Sequence, residues 1–490
     1  MCNACLTDLV RLMIMGLKKN ILYSGFLTTS LYIFQFVTYP YVARVLGVTN
    51  IGICNYVQSI VQYFILFSMM GVTSLGIREI AACGNDLKKR DIVFSKIFQL
   101  TSLTTLIVVL CYIACIELIP KLTVYRELLY VGVFQIIFNT LTIEWFFRGI
   151  EDFKYITIRT FIIRSIYVIA VFLFVQSSSD YGKYFILTTL TYVANGVINL
   201  LYSRKIVAFH WQRLASLKCY IKPMLYLGIL AILGAMYTSF NTIYLGFATD
   251  DTEVGYYTTA TKIQGIILGL YSAFTLVMMP RMSSCNDERE KSHMIDVSHV
   301  LLLNLTIPII IVSECFAEII IRIISGPSYI AATPMLMITM PLLYIIGIRQ
   351  IFVAQILIPN KEDQSILNCS LGGGITGLIT SFLFVNLWKG LGSATVFIAS
   401  ETVVAILSYY YVRKKKLYSF DIKKTGYNLI SWIPFILFCL LLKDIENQYV
   451  GFLVSCLSAF LYVHIVMMHI IKNTQYQLII QNVFHLKKNK

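Results

Sequence analysis

The sequence predicts an all-α integral membrane protein with about fourteen transmembrane helices, and three observations support this class. The chain has 490 residues, of which 58% are hydrophobic and only 13% are charged, whereas about a quarter of a soluble chain is charged. Apolar runs of about twenty residues, long enough to cross a bilayer as a helix, recur along the chain. These runs lack the strict alternation of membrane β-strands, so helices are favoured over a barrel.

The predicted spans follow one another with short connections, which predicts that no soluble domain interrupts them. Their centres lie near residues 33, 62, 107, 137, 166, 192, 235, 268, 307, 345, 376, 401, 434 and 460.

Basic residues alternate between the connecting loops, and this alternation predicts the orientation. With the amino terminus inside, the inner loops hold roughly five times as many Lys and Arg residues as the outer loops. Arg148, Lys154 and Arg159 fall in one such inner loop. The predicted outer loops hold only Arg44, Lys121, Arg126, Lys183, Lys389 and Lys443. This asymmetry predicts that both termini are cytoplasmic, and it explains the formal charge of +15 without nucleic acid.

Motifs for metals, nucleotides and hydrolytic chemistry are missing or out of place, so the sequence predicts neither a metal site nor a cofactor. Cys2 and Cys5 form a CxxC without a second pair, and the other cysteines are scattered. The chain contains no GxxxxGK[ST], HExxH or GxSxG. The "GGGITG" at Gly372–Gly377 satisfies GxGxxG but lies inside an apolar span, where close helix packing is the simpler interpretation.

Two stretches about two hundred residues apart resemble each other and predict an internal repeat. Aligning Ile51-Gly52 with Val254-Gly255 pairs Asn55 with Thr258 and Ser59 with Lys262. A second similarity links "EWFFRGIEDFKYITI" with "VAQILIPNKEDQSIL". The repeat predicts two pseudo-symmetric, parallel six-helix lobes, a transporter design. The predicted division is residues 1–210 with spans 1–6, residues 211–415 with spans 7–12, and residues 416–490 with two extra spans and a basic cytoplasmic tail.

Three tracts resemble a known family. "YPYVARVLGVTNIGICNYVQSIVQYFILFSMMGVTSLGIREIA", "VGYYTTATKI" and "GITGLITSFLFVNLWKGLGSATVFIASETVVA" are similar to helices of Wzx-type polysaccharide (O-antigen) flippases, members of the multidrug/oligosaccharidyl-lipid/polysaccharide exporter superfamily. The resemblance runs from about Lys19 to Arg413. It implies a MATE-like fold and a transporter, not an enzyme, in the bacterial cytoplasmic membrane. It also implies an undecaprenyl-diphosphate-linked oligosaccharide as cargo, with the polysaccharide polymerase and chain-length machinery as partners.

A diphosphate cargo needs a cationic cavity, because burying bare charge in hydrocarbon costs up to tens of kcal/mol. Lys262 is the first candidate, since it shares a helix face with Thr258, Gly265 and Gly269 and the family often has a cation there. Snorkelling to the interface is the alternative. Arg164 and Arg349 follow, with ion pairs to Glu144 or Glu401 as the alternative. Arg44, at the outer end of span one, is a further candidate, with an interfacial or loop-capping role as the alternative.

Polar and acidic residues inside the predicted spans complete the candidate site. Asn55, Ser59 and Gln62 on span two are predicted to contact sugars, with interhelical hydrogen bonding as the alternative. Glu401, Glu144 and Glu314 are candidates for binding a coupling proton or sodium ion, although pairing with Arg or Lys is the simpler role for each.

Two other functions remain open at this point. A MATE-type antiporter of cations or drugs would share the fold, but the intramembrane cations favour an anionic head group. A membrane polysaccharide polymerase or ligase would need a sizeable outer loop with catalytic residues, and the outer loops are short.

Overall fold

A computed structural model describes residues 3–466 of the chain, apart from residues 85, 237, 286 and 421. Within these residues the protein is built from helices and contains no strand. The predicted all-helical class is therefore confirmed for the part of the chain that is described.

Ten helices make up the first half of the chain. Their bounds are α1 Asn3–Met69, α2 Val72–Ala81, α3 Leu87–Leu118, α4 Pro120–Thr123, α5 Arg126–Leu141, α6 Glu144–Gly149, α7 Phe153–Phe174, α8 Tyr181–Ser203, α9 Lys218–Ala235 and α10 Ser239–Ala248. Short 3₁₀ turns cover Ser178–Asp180 and Leu214–Leu217.

Nine further helices complete the described chain. Their bounds are α11 Asp251–Ser284, α12 Glu288–Ile324, α13 Thr333–Thr339, α14 Leu342–Gln350, α15 Asp363–Thr380, α16 Asn386–Lys414, α17 Ile422–Ile430, α18 Ile433–Lys443 and α19 Gln448–Ile465. A 3₁₀ turn covers Pro327–Ala332, and π-helical turns cover Ile351–Leu357 and Ser381–Val385.

The predicted count of fourteen spans is not confirmed. Among the described residues, ten helices are long and apolar enough to cross a membrane, or eleven if one bent pair counts as a span. Two of them, Gly25–Met69 and Asp363–Lys414, contain 45 and 52 residues. At about 1.5 Å per residue each is more than twice as long as a hydrocarbon layer of about 30 Å is thick. Each therefore contains two of the predicted span centres within one kinked helix.

The kink of α1 lies at Gly47, whose φ of 76° and ψ of 173° are non-helical. A Cβ atom built on Gly47 would contact nothing within 4 Å. The backbone conformation, rather than lack of space, therefore selects glycine at this position, because L-residues with a side chain rarely adopt a positive φ. The kink ends the first predicted span and begins the second.

Large apolar side chains cover the outer surface of the helices, as expected for contact with lipid. Leu110, Leu441 and Phe460 are 60%, 73% and 78% exposed. Several hydroxyl groups on the helices bond to a carbonyl of their own helix, as Thr101 does by donating to the carbonyl of Ile97 at 2.7 Å. Such a surface is stable in a bilayer and would promote aggregation in water.

The chain divides into two compact units, residues 1–259 with 373–400, and residues 260–372 with 401–490. In the first unit, α2 packs on α6 around Val72, Trp145 and Phe146. In the second, α18 and α19 pack on α12 around Phe316 and Trp432. The divisions fall inside α11, α15 and α16, so the units do not follow the predicted lobe boundaries, and the lobes stay a prediction.

In the first unit, hydrogen bonds join loops that the charge pattern predicts to lie on the same side of the membrane. Lys121 Nζ donates to the carbonyl of Thr249 at 3.0 Å, and the Tyr125 hydroxyl donates to Asp251 at 2.8 Å. All four residues belong to predicted outer loops or helix ends. Elsewhere in the unit, Arg90 Nη2 donates to the carbonyl of Ile206 at 2.8 Å, which joins two predicted inner loops.

Which of these ends faces the cytoplasm is a testable prediction. Reporter fusions after Lys89, Lys218 and Lys416 should report the cytoplasm, and fusions near Asp180 and Asp251 should report the outside, because basic loops are retained inside. Paired alkaline phosphatase and green fluorescent protein fusions would measure this. Finding the two sets on one side would overturn the predicted orientation.

Candidate functional site

The second half of α1 crosses the start of α11 with backbones in close contact. A Cβ atom on Gly52 would lie 1.7 Å from the carbonyl oxygen of Asp251, and one on Gly255 would lie 2.3 Å from the carbonyl oxygen of Val48. Each helix therefore presents a glycine where the other helix presents a carbonyl group. Small residues allow such close approach of helices in membranes.

Hydrogen bonds at this crossing join positions that the sequence repeat aligns. Asn55 Nδ2 donates to Thr258 Oγ1 at 2.8 Å, and the Thr49 and Thr252 hydroxyl oxygens lie 3.1 Å apart. Both pairs are separated by 203 residues, the offset that aligns Gly52 with Gly255. Aligned positions therefore face one another, as a local two-fold relation between the two segments would give.

The predicted polar face of span two makes hydrogen bonds between helices. Gln58 on α1 donates to Gln135 on α5 at 2.9 Å, and Gln62 donates to the Tyr192 hydroxyl on α8 at 2.6 Å. Ser59 instead donates to the carbonyl of Asn55, within its own helix, at 2.8 Å. Interhelical hydrogen bonding, the alternative to sugar contact, thus occurs at Asn55 and Gln62. Gln62 also faces a cavity.

A cavity of about 390 Å³ opens in the first unit, and we name it the Glu144 cavity. Its polar lining consists of Gln62, Thr73, Asn139, Thr142, Glu144 and Arg148, and its apolar lining of Ile65, Leu66, Met69 and Trp145. Its volume lies at the lower end of the range for small-molecule pockets, about 300–1,000 Å³. Of the predicted site residues, it brings together Gln62 and Glu144.

A break between α5 and α6 places Glu144 at this cavity. Ile143 at the break has a φ of 37° and is almost fully buried. A positive φ is a strained conformation for a β-branched residue. The side-chain amide of Asn199 on α8 donates to the carbonyl of Thr142, just before the break. The break is therefore held from a neighbouring helix.

Glu144 is bound by two guanidinium groups. Arg148 donates from Nε and Nη2 to Glu144 Oε1 at 2.9 and 2.6 Å. Arg159 Nη2 lies 3.6 Å from Glu144 Oε2. Arg159 Nη1 also donates to Asn199 Oδ1, so one asparagine contacts both Arg159 and the helix break.

Arg159 is a residue whose role the sequence analysis missed. It was assigned to a basic inner loop, but it lies on α7 and is only 6% exposed. Its apolar surroundings, "YITIRTFII", were the available signal, because a cation inside such a run indicates burial with a partner. The guanidinium group of Arg159 is buried next to Glu144, whereas the charge count places Arg159 in a solvated loop.

The other predicted cations of the first unit lie elsewhere. Arg164 on α7 is half-buried, and its guanidinium carbon lies 5.9 Å from the centre of the Tyr167 ring. The alternative pairing of Arg164 with Glu144 is not formed, since Glu144 pairs with Arg148 and Arg159. Arg44 is exposed near the kink of α1.

In the second unit, Arg349 and Glu401 form an ion pair. Arg349 Nε lies 2.7 Å from Glu401 Oε2, and the two side chains are 24% and 4% exposed. Arg349 lies at the end of α14, and Glu401 lies within α16. Arg349 and Glu401 therefore take the alternative role predicted for both of them, an ion pair with each other.

Lys262 is half-buried on α11, one turn beyond Thr258. A Cβ atom on Gly265, three residues further along the same face, would contact nothing within 4 Å. The predicted stripe of small and polar residues thus borders open space at Gly265. The role of Lys262 in substrate binding stays a prediction.

Glu314, the third predicted carboxylate, is half-buried on α12 and has no ion-pair partner among the described residues. Glu318, one turn further, accepts from Arg322 Nη2 at 2.8 Å as a local pair. Across the described part of the chain, no three His, Cys, Asp or Glu side chains group so that they could hold a metal ion.

Sequence comparison relates most of the chain to proteins of polysaccharide synthesis. Residues 17–286 match the profile of the family described as "Polysaccharide biosynthesis protein". Proteins named "Putative O-antigen transporter" from Escherichia coli (strain K12) and Shigella dysenteriae are 24% and 23% identical. Those matches cover 82% and 80% of this chain and 98% of each relative.

Solved structures share the fold. The structure described as "Lipid II flippase MurJ, inward closed conformation" has a TM-score of 0.73 at 16% identity, covering 94% of this chain and all of that chain. An inward-facing multidrug resistance MATE family transporter of the MOP superfamily has a TM-score of 0.59 at 16% identity, covering 79% of this chain and 94% of its own. At such identities the likeness concerns the fold alone.

Proposed function

Because the chain belongs to the polysaccharide biosynthesis protein family, we propose that it is a flippase for lipid-linked oligosaccharide. Its cargo would be an undecaprenyl-diphosphate-linked repeat unit, moved from the cytoplasmic to the outer leaflet of a bacterial cytoplasmic membrane. The match to O-antigen transporters over almost their whole length is the observation that carries this proposal. The fold that the chain shares with a lipid II flippase supports it.

The chemistry of the described residues suits such a cargo. The multi-pass, lipid-covered surface can hold the polyprenyl tail in the bilayer, while polar groups inside the protein replace water around the head group. Lys262 and Arg349 are the cations that we propose act on the diphosphate. Arg349 is paired with Glu401 at 2.7 Å, so it would have to exchange that carboxylate for phosphate during transport. Such an exchange fits alternating access with Glu401 taking up a coupling ion.

A deletion strain tests the proposed function. The strain should accumulate lipid-linked repeat units in the cytoplasmic leaflet and lose surface polysaccharide, and the cloned chain should restore both. Labelling of extracted and surface-accessible glycan would measure this. Normal surface delivery in a strain without a second flippase would contradict the proposal.

The same strain tests the charge of Lys262. A partly desolvated ammonium group near phosphate contributes on the order of 1–3 kcal/mol, so Lys262→Ala should reduce transport about tenfold or more. Lys262→Arg should retain much of the activity, and Lys262→Glu should be worst, because repulsion is added to the lost attraction. Protein levels in the membrane serve as the control. Equal transport by all three variants would leave Lys262 as a snorkelling residue only.

A further inference from the structure

We propose that the Glu144 cavity binds a sugar ring of the cargo rather than its diphosphate. This inference rests on the proposed function and adds a subsite to it. It assigns the glycan to this cavity of the first unit and the diphosphate to a place outside the cavity.

The charge of the lining excludes a good diphosphate site. Its charged residues are one carboxylate, Glu144, and one guanidinium, Arg148, which bond to each other at 2.6 Å. Arg159 behind them also points at Glu144, at 3.6 Å. A diphosphate would have to displace the carboxylate from its guanidinium groups and then lie beside it. A neutral, hydroxyl-rich ligand requires no such exchange.

The hydrogen-bonding groups of the lining suit sugar hydroxyls. A hydroxyl both donates and accepts, so it is best matched by amides, hydroxyls and carboxylates. The side-chain amide of Asn139 faces the cavity without a hydrogen-bond partner among the residues that the structure describes. Within the described part of the chain, the one polar contact of Glu144 Oε2 is that with Arg159 at 3.6 Å, so this oxygen can accept a short, charge-assisted bond from a hydroxyl.

Part of the cavity wall is apolar, and this too fits a sugar. Leu66 and Met69, both half-buried, lie on α1 and line the same cavity as the polar groups of α5 and α6. A sugar ring carries C–H groups as well as hydroxyls, so it can bury its C–H surface against such a wall while its hydroxyls reach the amides. Pockets for small ligands combine apolar walls with a few placed polar groups in this way.

Equilibrium binding to the purified full-length protein in nanodiscs tests the subsite. Two probes are used: bare undecaprenyl diphosphate, and the lipid-linked repeat unit extracted from the deletion strain. Asn139→Ala and Glu144→Gln should weaken binding of the repeat unit about tenfold each, the effect of losing one hydrogen bond to the sugar. Binding of bare undecaprenyl diphosphate should change less than about twofold, since its diphosphate lies elsewhere.

Glu318→Gln is the matched control, because Glu318 forms the same type of pair with Arg322 on an exposed helix face. It should bind both lipids like the wild type. If the cavity variants lost affinity equally for the two lipids, the diphosphate would be assigned to the cavity. That result would overturn this inference but not the proposed function. Unchanged binding of both lipids by well-folded Asn139→Ala would also overturn it. Wild-type protein that binds neither lipid would contradict the proposed function itself.

Discussion

Replacing Arg349 with methionine is expected to destabilise the protein by about 3–5 kcal/mol, because it leaves the carboxylate of Glu401 buried without its partner. The two side chains are 24% and 4% exposed, with 2.7 Å between Arg349 Nε and Glu401 Oε2. Thermal unfolding of the purified protein in detergent, followed at several concentrations of detergent, would measure the loss. The double variant Arg349→Met with Glu401→Leu should recover most of it, since no unpaired charge then remains.

An exposed pair elsewhere on the chain provides the control. Arg322 and Glu318 lie 2.8 Å apart with 43% and 48% exposed side chains, so Arg322→Met should cost at most about 1 kcal/mol. If Arg349→Met is no more harmful than Arg322→Met, the Arg349–Glu401 pair does not stabilise the fold. Transport by the double variant then distinguishes a role of this ion pair in stability from a role in transport. Recovery of stability without transport would indicate that the pair also acts on the cargo or on a coupling ion.

Adding a methyl group at Gly52 or Gly255 is expected to destabilise the protein to a degree comparable with Arg349→Met. The added carbon would lie 1.7 Å from one backbone carbonyl oxygen or 2.3 Å from the other, distances that only a shift of a whole helix can relieve. Overpacking typically costs about 1–3 kcal/mol, and a clash with backbone falls at or above the upper end. Gly52→Ala and Gly255→Ala should therefore lower the unfolding temperature and reduce transport in the deletion strain.

Gly265→Ala is the matched control on the same helix as Gly255. A Cβ atom there contacts nothing within 4 Å, and alanine is the better helix former, by about 1 kcal/mol. This variant should be as stable as the wild type or slightly more so. If Gly265→Ala lowered stability as much as Gly255→Ala, glycine would be required for helix flexibility and not for the close crossing.

The helical membrane class could be predicted from the sequence because it depends on composition and run length, which are properties of the chain itself. The alignment also paired Asn55 with Thr258, and a hydrogen bond joins these two side chains, while the repeat of whole lobes stays a prediction. The count of fourteen spans stays unconfirmed, because two predicted spans can share one long helical stretch, as those on either side of the kink at Gly47 do in α1.

The partners of the charged residues were harder to predict. Glu144 and Arg148 are four residues apart, a spacing at which opposite charges pair on a helix. The sequence does not show whether Arg159 or Arg164 is the second partner. The structure pairs Glu144 with Arg148 and Arg159, and Arg159 also bonds to Asn199, a residue forty positions away on another helix. The ion pair between Arg349 and Glu401, by contrast, is one of the alternatives that the sequence offers.

The crossing of α1 and α11 also restricts which side chains can occupy it. In the predicted repeat, two identical copies of one segment would place identical residues opposite each other. Two identical charges would repel, and two pure donors or two pure acceptors could not bond. Hydroxyls can bond to their own kind, as at Thr49 and Thr252, and glycine can lie against an opposing backbone, as at Gly52 and Gly255. Contact between two identical segments would therefore favour hydroxyls and glycines, and ion pairs could form only once the two sequences differ.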